Sequence, residues 1–85
     1  MPEFVCNINS KNKNLFATFF ELSKAFDYII EQLMAEGGIE KNQATALMED
    51  VKKLYIEKGN PGNFSVWEVE DDDGEIVRMY INEIV

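Results

Sequence analysis

Apolar residues recur along residues 14–36 (NLFATFFELSKAFDYIIEQLMAE) at alternating spacings of four and three: Leu15, Phe19, Leu22, Phe26, Ile29 and Leu33. That spacing predicts a long amphipathic helix over the whole stretch, roughly 35 Å from end to end. A second stripe of Phe16, Phe20, Ile30 and Met34 lies about 100° further round, interrupted by Ser23 and Asp27. The two stripes together are wider than one packing partner covers. Either a second helix and a sheet share them, or part of the second stripe is an interface. Asn12 or Asn14 suits the N-cap, and Gly37-Gly38 suits a left-handed stop.

On either side of this stretch the period changes. Residues 3–9 alternate, with Phe4, Cys6 and Ile8 facing one way and Val5 and Asn7 the other, which predicts a short first strand. The polar run 9–14 (NSKNKN) reads as a turn into the helix. Residues 39–58 predict a second helix with a seam of Ala44, Leu47, Val51 and Leu54, widened by Met48 and Tyr55. Gly59 ends it, and Pro61-Gly62 prevents its resumption. The short link at the paired glycines implies an antiparallel helical hairpin.

The last third, FSVWEVEDDDGEIVRMYINEIV, holds two β-rich runs around one turn signal and predicts a hairpin. A three-residue loop of Asp72, Asp73 and Gly74 places the glycine at the left-handed position of a bulged type I turn. In that register Val69 faces Val77, Glu68 faces Arg78, Trp67 faces Met79 and Val66 faces Tyr80. One face then collects Trp67, Val69, Val77, Met79 and Ile81 for the core. The other carries the Glu68–Arg78 pair with Phe64, Val66, Tyr80 and Asn82. A two-residue Asp73-Gly74 loop would break the Glu68–Arg78 pairing, so the bulged register is preferred. The expected fold class is α+β, ordered β-α-α-β-β, with an antiparallel two-helix hairpin on a three-stranded, mainly antiparallel sheet. Pattern alone leaves the place of the first strand in that sheet open.

Composition narrows the function classes. Eighty-five residues form one expected domain, spanning 1–85, and the 46% apolar content is too high for a disordered chain. Sixteen acids against 8 bases give a net charge of −8. Such a surface repels nucleic-acid phosphate and anionic membrane, so neither is expected to bind directly. It suits a basic protein partner, and it equally serves simple solubility. No apolar run is long enough to span a membrane, no signal-like segment opens the chain, and Cys6 stands alone, so a reducing cytoplasm is expected. Asn63-Phe64-Ser65 matches a glycosylation sequon without any accompanying secretory signal.

Candidate chemistry is sparse. Histidine is absent, one cysteine cannot build a thiolate metal site, and the five glycines fit no phosphate-loop spacing. No catalytic residue, cofactor site or metal site is expected, and the chain is read as a non-enzyme. The strongest local signal is acidic: Glu68, Glu70, Asp71, Asp72, Asp73 and Glu75 fall within eight residues. They fail the calcium-loop pattern, because Val69 occupies its first position and Tyr80 its twelfth. The run is either a solvated turn that blunts a hairpin edge or a negative prong for a basic groove. Three functional expectations follow. The first is a small acidic inhibitor or regulator that binds another macromolecule, analogous in composition to phage proteins that disarm host defence nucleases. The second is a homo-oligomer that holds a small ligand between subunits, with Phe16, Phe20, Tyr28, Trp67 and Tyr80 as lining. The third is a plain self-associating structural domain. Phe16, Phe20, Phe64, Val66 and Tyr80 are the candidate interface residues, toward another subunit or a partner.

Overall fold

The computed structural model describes residues 2–59, 62–70 and 73–84. Its elements run β1 (Glu3–Asn9), β2 (Asn14–Phe19), α1 (Leu22–Gly37), α2 (Lys41–Lys58), β3 (Asn63–Glu70) and β4 (Ile76–Ile84). The strands form one antiparallel sheet in the order β2-β1-β4-β3. The α+β class holds, but the sheet has four strands rather than three. The first strand lies inside it, between β2 and β4.

The extra strand comes from the front of the expected long helix. Residues 14–19 pair with β1, Leu15 opposite Ile8, Ala17 opposite Cys6 and Phe19 opposite Phe4, so α1 begins only at Leu22. A spacing of four puts two residues on one face of a strand as well as of a helix, because four is also a multiple of two. Leu15 and Phe19 therefore fit both periods. Aromatic and β-branched content in the segment NLFATF, after a polar turn, decides for the strand.

Phe4, Cys6 and Ile8 of β1 are buried as expected, with Ile81 and Met79 of β4 beside them. Ala25, Phe26, Ile29 and Leu33 of α1 press onto this face and complete most of the core. Gly38, at φ 65°, closes α1 and donates its N–H to the Met34 carbonyl at 3.1 Å. A capping box between Glu40 and Gln43 then opens α2.

The second helix lies rotated from its expected seam. Ala44, Met48 and Tyr55 are buried, while Leu47 and Leu54 stand on an exposed flank. Tyr55 fixes this orientation. Its ring meets Phe26 edge-on at 6.2 Å and Phe64 at 5.3 Å, and its hydroxyl donates to Glu83 at 3.0 Å. One aromatic side chain thus ties α2 to α1, β3 and β4 together.

In the β3–β4 hairpin, Glu68 faces Arg78, Val69 faces Val77 and Trp67 faces Met79, as the bulged loop requires. Upstream the register shifts: Ser65, not Val66, opposes Tyr80. The bulge between Ser65 and Trp67 turns Phe64 and Val66 inward, and both are buried in the core. Strict alternation from Glu68 had put them on the outer face, and that placement is corrected here.

Candidate functional site

The two β-turns at one end of the sheet converge. Lys11 and Asn12, from the β1–β2 turn, line a small cavity of about 300 Å³ with Asp73, Gly74 and Glu75 from the β3–β4 turn. The Asn12 backbone N–H donates to the Glu75 carboxylate at 3.1 Å. Glu68 meets Arg78 Nε at 3.4 Å on the open face of the sheet, both side chains about half exposed. Glu70 ends β3 opposite Ile76 and is exposed, as is Asp73. Four of the six expected acids therefore share one end of the molecule. The other two, Asp71 and Asp72, lie outside the described residues. The acidic end is not a free-standing prong, since the first hairpin braces it through Asn12. Sequence reasoning missed that brace because it had assigned the first hairpin's second strand to a helix.

The candidate interface residues scatter. Phe16 and Phe20 remain exposed, at 62% and 60%. Tyr80 is half-buried on the open face between Asn7 of β1 and Ser65 of β3, while Phe64 and Val66 are lost to the core. The aromatics expected to line a shared pocket do not gather on one surface of the chain. Tyr28 packs on Phe19 at 5.4 Å and Trp67 packs against the core, whereas Phe16 and Tyr80 belong to the opposite face.

The open face has its own chemistry. Across it, Asn14, Asn9, Arg78 and Glu68 form one row, and Phe16, Asn7, Tyr80 and Ser65 the next. Asn7 Oδ1 is buried between its neighbours without a hydrogen-bond partner. On the helical side, a groove of about 600 Å³ runs between α1 and α2. Phe26, Ile30, Met34 and Met48 line it together with the acids Asp27, Glu31 and Glu49 and the bases Lys41 and Lys52. Its mixed charge favours no one sign of ligand.

Among the described residues no group of three or more Cys, Asp or Glu is arranged to hold a metal ion. No helix among them is long and apolar enough to cross a membrane. Among the described residues, burial acts on two ionisable side chains. Burial pushes the Cys6 thiol up from 9.0 to about 12. Burial, with the Glu83 hydrogen bond and charge, raises Tyr55 above its ordinary 10.0. Both changes favour the neutral, unreactive form, so neither group is prepared as a nucleophile. Comparison of the chain with protein-family models, with curated proteins and with solved structures finds no match.

Proposed function

We propose that this protein is a non-catalytic inhibitor or regulator that binds a basic macromolecule, most simply a nucleic-acid-handling protein, through the acidic end of its sheet. One observation carries the reading: the acidic end is held on a doubly braced support, with Glu75 beside the β3–β4 turn fixed by Asn12 and Glu68 of β3 by Arg78. A preorganised negative surface loses little ordering entropy when it meets a basic groove. The net charge of −8 extends its attraction and speeds encounter.

The test is capture from a lysate of the source cells with the native chain and with a Glu70→Gln/Asp73→Asn variant in parallel, followed by reconstitution with the purified partner. The expected partner is basic, and its affinity falls about tenfold or more over a fivefold rise in salt. The same variant weakens it several-fold. A partner held equally by both chains, or indifferent to salt, overturns the reading.

A further inference from the structure

We propose that β2 is a self-association edge, pairing antiparallel with β2 of a second copy about a two-fold axis at Ala17, to give a continuous eight-stranded sheet. The two edges of this sheet are built differently. The β3 edge carries the bulge between Ser65 and Trp67 and the charges of Glu68 and Glu70, devices that discourage edge pairing. By contrast, β2 has no charged residue from Asn14 to Phe19, no proline and no bulge. Several apolar side chains here stay in solvent: Leu15 and Phe16 within the strand and Phe20 just beyond it are all exposed. An unprotected apolar edge is the form a strand takes when another strand covers it.

Charge names the occupant. The charged residues nearest the strand are Lys13 and Glu21, of opposite sign and each four positions from Ala17. Antiparallel pairing about Ala17 sets Lys13 of one copy opposite Glu21 of the other, twice by symmetry. It also sets Leu15 opposite Phe19 on the helix-bearing face and Phe16 opposite the β-branched Thr18 on the open face, so side chains cover one another on both faces. Lys13 already meets Glu36 of its own chain, but its ammonium has three donors and its side chain stays 40% exposed.

The same geometry eases the repulsion between two copies at −8 each. Because Asn12 holds Glu75, the acidic turn sits at the Asn14 end of β2. Antiparallel pairing sends the two acidic turns to opposite ends of the shared strand pair, roughly 20 Å apart along it, or about two Debye lengths at physiological salt. Parallel pairing would place them side by side. Both acidic ends thus stay open to solvent in the dimer, and its existence does not depend on what they bind.

Sedimentation equilibrium over a range of concentrations and salt tests this. The expected result is a monomer–dimer equilibrium that tightens several-fold with added salt, opposite to the response of a complex with a basic partner. Phe16→Lys and Thr18→Glu, both at exposed positions on the open face, should each weaken the dimer about tenfold or more. Combining them places lysine opposite glutamate across the two-fold and should recover most of the loss, provided that circular dichroism shows all three variants folded. A monomer at every concentration and salt overturns the proposal. So does a dimer untouched by either single substitution, or single losses that the double variant does not recover.

Discussion

Cys6 and Tyr55 are buried in the core, one in the sheet and one at the helix–sheet junction. The Cys6 thiol donates weakly to the Ala25 backbone carbonyl oxygen at 3.6 Å, and the Tyr55 hydroxyl donates to Glu83. Their folded pKa values are both raised, so the folded chain holds these protons more tightly than the unfolded one. The stability they contribute is complete below pH 9.0 for Cys6 and 10.0 for Tyr55. It is lost as pH rises through the unfolded values toward the folded ones. Urea denaturation followed against pH should therefore show a midpoint that falls above about pH 9. Tyr55→Phe should cost about 1 kcal/mol at neutral pH and flatten the part of the fall above 10.0. Parallel curves for the two proteins above 10.0 would show that Tyr55 is not the group responsible. At this scale the sequence was informative about burial: Cys6 was expected as a small apolar residue of the first strand and is one. It was silent about the Tyr55–Glu83 bond, whose partners lie 28 positions apart and share no motif. Val66 was misplaced because a bulge is a one-residue event that alternation cannot register.

Among the elements, β1, α2 and the terminal hairpin were legible because each has clear stops and, apart from the bulge between Ser65 and Trp67, one period. The stretch 14–36 was not, because its apolar spacing satisfied a helix throughout and a strand over its first part. Only local preference separated the two, and preference is outweighed easily when a seam of six apolar residues invites one continuous element. The orientation of α2 was missed for a related reason. Leucine pattern predicts an apolar arc, while the arc's centre is set by the partner, here Tyr55 wedged between Phe26 and Phe64. The rotation has a measurable consequence. Leu33 of α1 is fully buried, whereas Leu54 of α2 is 46% exposed. Leu33→Ala should cost about 2–5 kcal/mol by transfer and cavity terms together, and Leu54→Ala less than about 1 kcal/mol. Equal losses in chemical denaturation would restore the leucine seam that the sequence pattern suggested.

For the whole molecule, the question is whether the acidic end serves the fold or is carried in spite of it. The sequence located these carboxylates and paired Glu68 with Arg78, but it did not show that Glu75 meets Asn12, because it did not foresee the first hairpin. Geometry divides them. Glu75 accepts a backbone N–H from Asn12 and joins the two turns, so its charge has a structural use. Glu70 is exposed at the end of β3, in a chain with twice as many acids as bases. Repulsion from that excess works against the compact state, more so at low salt. Glu75→Gln should therefore destabilise the protein by roughly 1 kcal/mol, with little dependence on salt, because a direct hydrogen bond is weakened. Glu70→Gln should stabilise it by a few tenths of a kcal/mol at low salt, and the gain should fade as salt rises. Thermal denaturation of both variants at two ionic strengths distinguishes the cases. Opposite signs, with a salt dependence at Glu70 and little at Glu75, would mean that part of this negative surface costs the fold stability, as a binding surface commonly does. Destabilisation by both variants would make the whole acidic end structural and remove the reason for reading it as a docking surface.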